Sequence, residues 1–306
     1  MAKDAAVTQM DRNDLRVCAV IVAFHPDSEF ETRLLALASQ VGGLIVVDNT
    51  PASERRRHIV VSARFDGHAL VIESEDNLGV AAALNQGLNQ ALQWGYEWLL
   101  TMDQDSRCHF DMVNTLLSVE AACLTKPAVI GGNYQDTRNN RPKVEVGRAG
   151  EYLDQKTVIT SGCLVKAHFA MAIGGFREDY FIDQLDHEFC LRVRANGGRV
   201  VISRRPVMLH SVGEAGGVRL PIVGELPSHS PLRKYYIARN SLVTIIDYWG
   251  KEPSWCVRRA VRLVLGLCLM STLEQQRIVK VRAFFAGIVD ALTRQMGPCR
   301  RKLFET

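Results

Sequence analysis

Two aspartates one residue apart, Asp103 and Asp105, end the apolar run in "WLLTMDQDSRC". Carboxylates that close repel each other, and leaving them unpaired beside a core is unfavourable. As a pair they can chelate a hard divalent cation through oxygen, and Mg²⁺ or Mn²⁺ held in this way can neutralise a diphosphate. The plain alternative is a solvated acidic turn. His210 closes the apolar "PVMLH", where an imidazole either ligates Mn²⁺ or serves the structure. Asp183, Asp186 and Glu188 crowd the start of "DHEFCLRVRANGG". Acids there stabilise a helix N-terminus, or one of them is a general base that deprotonates an attacking hydroxyl. Arg239, in "RKYYIARNSL", could grip a phosphate bidentately or belong to a solvated basic helix.

These residues need elements to position them. "VCAVIVAF" (17–24) is a continuous β-rich run, as expected for a strand buried on both faces, and His25-Pro26-Asp27 breaks it. Leu34, Leu37, Ala38 and Val41 then follow helical spacing up to Gly42-Gly43. "LIVVDNTP" is a second buried strand ending at Asp48, and "ALVIES" a third. Val80, Leu84, Leu88 and Ala91 form the stripe of the next helix, and "EWLLTMD" is the next strand. Alternating strands and helices predict a doubly wound, mostly parallel sheet, whose ligands bind beyond the carboxyl ends of the strands. Asp48, Asn77, Asp103 and Asp105 all fall at that edge. The second half is less regular. Residues 131–150 read as loop or short antiparallel strands, "TVITSGCLVKAHF" as a strand entering a helix, and Glu214 to Pro231 as a mobile loop rich in Gly, Pro and Ser.

Composition excludes several classes. Eight scattered cysteines without a C-x-x-C pair suit a reducing cytosol better than a disulfide framework or a zinc site. The polar start, "MAKDAAVTQMDRND", lacks the apolar stretch of a secretory signal, and no run approaches the roughly 20 apolar residues that span a bilayer. There is no G-x-G-x-x-G at a strand–helix turn and no P-loop. The net charge of +4 is uneven: residues 255–306 hold ten Lys/Arg against three Asp/Glu, and the rest of the chain 27 against 30. An anionic surface therefore suits the tail rather than the body, and no nucleic acid is expected as a partner.

Taken in order, "VIVAFHP", "VVDNTP", "EDNLGVAAALNQGL", "LTMDQDS", "SGCLVK", "GGFREDYFIDQLDHEFCLR" and "YYIARN" resemble the inverting GT-A glycosyltransferases of family 2, most nearly the bacterial dTDP-L-rhamnose-dependent rhamnosyltransferases. The resemblance covers about residues 17–249. It implies a GT-A fold, Rossmann-like with a mostly parallel central sheet flanked by helices, followed by a C-terminal helical extension. The division expected is a polar tail over 1–15, the GT-A domain over 16–250 and basic amphipathic helices over 251–306.

Carried residue by residue, the resemblance has Phe24 line the nucleotide pocket and Asp48 read the pyrimidine base. Asn77 and Gly79 would lie beside the nucleotide. Asp103, Asp105 and His210 would bind Mg²⁺ or Mn²⁺, with Asp103 also on the donor. Gly162 would form the backbone turn beneath the donor sugar, and Arg239 would touch the diphosphate or close a loop over it. Asp186 stands at the position of the catalytic base, but Leu185 replaces the usual acid before it, so Asp183 remains the alternative. The implied reaction moves L-rhamnose from dTDP-L-rhamnose to a hydroxyl of a glycan or glycolipid, as in O-antigen, other polysaccharide or rhamnolipid-type synthesis. The rivals are another nucleotide-sugar donor, or a scaffold that binds without turnover. The basic tail, with an apolar core at 261–273 too short to span a membrane, would either lie on an anionic leaflet or pack on the body. The location expected is the cytoplasm, peripheral to the inner face of the membrane.

Overall fold

The computed structural model describes residues 16–56, 58–61, 65, 67–137, 140–145, 150–210, 214–220 and 224–301, with side chains omitted over 214–228. The expected tail at 1–15 lies outside the described residues.

Four neighbouring strands run parallel at one side of the sheet: β1 (Val17–Ala23), β2 (Gly43–Asp48), β3 (His68–Glu73) and β4 (Trp98–Asp103). The sheet continues through β8 (Cys163–Lys166), β6 (Val129–Asp136), β9 (Val200–His210) and the two-residue β5 (Arg107–Cys108), in the order β3-β2-β1-β4-β8-β6-β9-β5. The short β7 (Tyr152–Asp154) also pairs with β9. β8 runs antiparallel to β4 and β6, while β6 and β9 are parallel.

The continuous apolar runs follow from burial on both faces. Ala19, Ile21, Leu44, Val46, Leu100 and Met102 face α1 (Phe30–Ala38) and α3 (Met112–Ala122). Cys18, Val20, Ile45, Val47 and Leu99 face the other way, toward α2 (Val80–Gln93), α4 (Ala167–Ala172) and α5 (Leu185–Ala195). A Cβ at Gly87 would lie 2.4 Å from Val20, so this glycine lets α2 sit close on β1.

Register creates the working edge. Val22 pairs with Asp103, Ala23 with Asp48, and Asp48 with Glu73, so four parallel strands end along one rim. Of the loop or short antiparallel strands expected at 131–150, β6 is a strand antiparallel to β8 but also parallel to β9, and its Gly131 and Gly132 lie inside it, buried. Their missing side chains make room: a Cβ would lie 2.6 Å from Val158 at Gly131, and 2.7 Å from the Gly162 carbonyl and Val207 at Gly132. Within the segment expected to be a loop, β10 (Glu214–Leu220) and β11 (Gly224–Ser228) form an antiparallel hairpin. Three helices complete the chain, α6 (Pro231–Tyr248), α7 (Pro253–Leu273) and α8 (Arg277–Leu292). No helix among the described residues is long and apolar enough to cross a membrane.

Candidate active site

Asp103 is the last residue of β4, and Asp105 lies two residues on in the turn. The chain then forms β5, where Arg107 and Cys108 pair with Leu209 and Met208 at the end of β9. This short pairing brings His210 to the aspartates across more than a hundred residues. One ligand atom from each of Asp103, Asp105 and His210 lies within 4.8 Å of the other two.

Neighbouring groups fix the cluster. The Asp103 N–H donates to Ser161 Oγ at 3.2 Å, Ser161 and Ser106 share a hydrogen bond of 2.8 Å, and Ser106 Oγ meets His210 Nδ1 at 2.8 Å. With Nδ1 engaged, a metal would be taken through Nε2. Gln104, between the two aspartates, is clamped on the end of β1: the Phe24 N–H donates to its Oε1 at 2.8 Å, and its Nε2 donates to the Phe24 carbonyl at 3.0 Å. Arg33 Nε donates to the Gln104 carbonyl at 2.7 Å. Two carboxylates at the end of β4 and an imidazole at the end of β9 suit Mn²⁺ or Mg²⁺.

Burial pushes the Asp103 carboxyl up to about 7, with Asp105 and Asp186 adding to the shift and Arg233 opposing it. The side chain is open to the cleft. Solvent therefore screens the burial effect, and the repulsion between neighbouring carboxylates is the more durable cause.

Asp186 stands in the first turn of α5 and accepts a hydrogen bond from the His187 N–H at 2.8 Å. Asp183 is occupied differently. Arg233 donates to both of its oxygens, at 2.6 and 3.2 Å. Phe181, Asp183 and Gln184 all have positive φ, between 63° and 67°, so the segment entering α5 is held in a costly backbone conformation. The Gly79–Val80 turn holds part of it, since the Val80 N–H donates to the Phe181 carbonyl at 2.8 Å. Asn240 holds the rest, donating to the carbonyls of Tyr180, Ile182 and Asp183.

Arg239 overturns an expectation. It is fully buried, and its guanidinium donates to the carbonyls of Gly297, Tyr180 and Asp179 at 2.6, 3.2 and 3.3 Å. A cation with no exposed surface and its donors committed beneath the loop neither touches a diphosphate nor closes over one. It buttresses the Asp179–Asp183 segment from below.

On the other side of Asp103, a cleft of about 730 Å³ opens past the ends of β1 and β2, lined by His25, Asp48, Thr50 and Arg55 among others. Asp48 is buried there, accepting from the Thr50 N–H at 3.0 Å and Arg55 Nε at 3.1 Å. Two of the roughly four acceptor positions of its carboxylate are thus taken. Asn77 Oδ1 accepts from the Gly79 N–H at 2.9 Å and from Asn49 at 3.0 Å, shaping the turn into α2. Gly162, at φ 71°, passes between Thr101 and Gly132, where a Cβ would lie 2.7 Å from Met208.

Ser106, Ser161, Gln104, Arg55 and Arg233 were not expected from the sequence. Ser106 and Ser161 adjoin the motifs "DQD" and "SGC", and that adjacency was the available signal.

Comparison with known proteins adds independent observations. The profile of Glycosyl transferase family 2 matches residues 18–179. The dTDP-rhamnosyl transferase RfbF of Shigella flexneri is 27% identical over 253 residues, covering 75% of this chain and 79% of that protein. Among solved structures, S. aureus TarS 1–349 superposes with a TM-score of 0.61 at 12% identity, over 91% of this chain and 81% of that one. Its complex with UDP-GlcNAc gives 0.61 at 14% identity, over 90% and 81%. The TarS structures speak for the fold, an α/β sheet of mostly parallel strands with helices following it.

Proposed function

The chain belongs to glycosyl transferase family 2, and from that premise we propose that it is an inverting, metal-dependent enzyme moving L-rhamnose from dTDP-L-rhamnose to a hydroxyl of a glycan or lipid-linked acceptor. The observation that carries this reading is the convergence of Asp103, Asp105 and His210 at the sheet rim, with Asp186 close enough for its charge to reach Asp103. When bound there, a divalent cation supplies electrostatic stabilisation of the departing diphosphate.

The chain's own residues do the rest. The cleft beside Asp48, Arg55 and Phe24 takes the nucleoside, with the oxygens of Asp48 left over by Arg55 and Thr50 reading the base. The turn at Asn77 and Gly79 lies along it, and Gly162 lets the backbone pass beneath the sugar. Asp186 removes the proton from the acceptor hydroxyl as that oxygen attacks from the side opposite the leaving group, which inverts the anomeric centre. Asp183 is the weaker candidate for base because Arg233 holds both of its oxygens. The likeness to RfbF supports rhamnose as the transferred sugar.

Exposed Val257, Val261, Val264 and Leu265 on α7, with Ile278, Phe285, Val289 and Leu292 on α8, form apolar stripes in the most basic part of the chain. This supports peripheral contact with an anionic leaflet carrying the acceptor.

Incubation with dTDP-L-rhamnose, Mn²⁺ and a panel of lipid-linked glycans should release dTDP, and Asp103→Ala or Asp105→Ala should abolish the release. Undiminished release by the double variant would remove the metal role. Tighter binding of a UDP- or GDP-sugar than of dTDP-L-rhamnose would replace the donor.

A further inference from the structure

A second cavity, of about 480 Å³, lies between the β6–β9 part of the sheet and α7. Lys143, Lys156, His187, Arg258, Arg259 and Arg262 line it, and among the described residues no carboxylate does. Lys156 is neutralised by Glu252 at 2.6 Å, and Arg259 bonds to the Ser241 hydroxyl. The side chains of Lys143, Arg258 and Arg262 have no hydrogen bond or ion pair among the described residues. Lys143, Arg258 and Arg262 thus repel one another with no counter-charge bonded to them, and an anion in the cavity would relieve that repulsion.

The neighbouring groups respond to this concentration of charge. Burial, with help from Arg262 and against Asp186 and Asp183, lowers the Arg259 guanidinium to about 10. Burial also pushes the His187 imidazole toward neutrality; Asp186 opposes that shift, while Arg259, Arg262 and Lys143 reinforce it. His187, the residue after Asp186, lines the cavity, so it adjoins the Asp186 side of the cleft, and it shares no lining residue with the nucleoside cleft at Asp48.

A third cavity, of about 300 Å³, shares Arg259 and Arg262 with the second and extends between α6, α7 and α8. Its lining is mixed: Asp183, Gln184, His229, Arg233 and Lys234 form a polar side, while Ile237, Leu263, Met270 and Phe284 form an apolar one, and at Gly266 an added Cβ would meet nothing within 4 Å. A cationic chamber that shares Arg259 and Arg262 with a groove carrying one apolar side matches an amphiphile with an anionic head.

We infer that these joined cavities are the acceptor site and that they take a phosphate or diphosphate esterified to a lipid chain, the head among Lys143, Arg258, Arg259 and Arg262 and the start of the chain along Gly266 and Met270. The inference rests on the glycosyl-transfer reading for the word acceptor, but the binding it asserts does not. Arginine forks suit phosphate oxygens, and the groove discriminates a lipid ester from the free anion.

The test is calorimetric titration of the full chain with farnesyl diphosphate, the nucleotide cleft first filled with thymidine diphosphate and Mn²⁺. The wild type should bind farnesyl diphosphate at least tenfold more tightly than inorganic pyrophosphate, and should not bind farnesol. Arg258→Glu with Arg262→Glu, both on exposed side chains, should weaken binding at least thirtyfold. Gly266→Phe should weaken farnesyl diphosphate about tenfold and leave pyrophosphate unchanged. Affinity for thymidine diphosphate, measured alone, should stay within twofold in each variant, which guards against simple misfolding. Absence of farnesyl diphosphate binding in the wild type, or its retention in the charge-reversed variant, overturns the proposal. Full displacement by phosphatidylglycerol vesicles at equal phosphate would make this a bulk headgroup site and overturn it as well. Loss of thymidine diphosphate binding with farnesyl diphosphate binding intact would instead sink the glycosyl-transfer reading.

Discussion

Asp183 and Asp186 differ by three positions and by everything around them. The Asp183 carboxylate is locked to Arg233 on a residue with positive φ, whereas Asp186 keeps one oxygen on its neighbour's N–H and lends its charge to the rim. Asp186→Asn should therefore lower transfer by about 10²–10⁴ while nucleotide affinity holds. Asp183→Asn should instead lower the melting temperature, because the two-point ion pair with Arg233 is lost. Rate constants and dTDP titrations on both variants separate the two roles, and an unimpaired Asp186→Asn enzyme would move the base elsewhere. Ser106 makes a second case at this scale. It touches no ligand position, yet it orients His210 and links through Ser161 to the Asp103 backbone. Ser106→Ala should weaken Mn²⁺ binding about 10–100-fold, read by titration without any sugar donor. Manganese affinity equal to that of the wild type would show that the imidazole is held by other means.

At the level of elements, Gly79 joins the nucleotide side of the site to the catalytic segment. It begins α2 at φ 85°, and a Cβ there would lie 2.6 Å from the Phe181 carbonyl, on backbone that cannot swing aside. Gly79→Ala should cost about 2–4 kcal/mol from left-handed strain and crowding together. Its transfer rate should also fall, since the displaced backbone leads into Asp183 and Asp186. Calorimetric melting and kinetics on one preparation check both, and an alanine variant with normal stability would mean that Phe181 yields freely. The same elements show what sequence pattern can and cannot reveal. β1, β2 and β4 were legible because burial on both faces leaves unbroken apolar runs, those of β2 and β4 ending in acids. The Asp103–Asp105 pair was legible through its place at such an end. β6 was not, since Gly131 and Gly132 argue against a strand until Val158 and Val207 are known to need their space. The Ser106–His210 contact depends on a two-residue strand, far below the length at which periodicity registers. Arg239 was misread for a related reason: residue type advertises phosphate binding, while the burial that prevents it is a tertiary property.

Across the whole molecule, charge is arranged differently in the two layers. At the sheet rim like charges face one another, and the Asp103 carboxyl rises. Among the C-terminal helices four acids, two of them buried, are matched with cations. Asp247 binds Arg177 and Arg294, Glu252 binds Lys156 and Arg194, and Glu274 binds Lys234 and Lys280. Burial pushes these three carboxyls up, but the bonded cations outweigh it and leave each below its ordinary value. At Asp290 the Arg301 guanidinium is the largest influence; burial opposes it, the Tyr235 hydroxyl at 2.7 Å assists, and this carboxyl too is held low. A depressed native pKa contributes stability that is complete above the unfolded carboxylate value and lost as pH falls through the native one. The helical layer should thus loosen in acid below about pH 4, taking with it the buttress that Arg239 makes from Gly297 to the catalytic segment. Trp249 and Trp255 lie at the junction of α6 and α7, so their near-ultraviolet signal reports the layer. Between pH 6 and pH 3 the wild-type urea midpoint should fall steeply. Asp290→Asn should start lower at pH 6 and fall less, because one of the four titrating contacts is already gone. Parallel curves for the two proteins would show that Asp290 does not couple protonation to the seating of the helices.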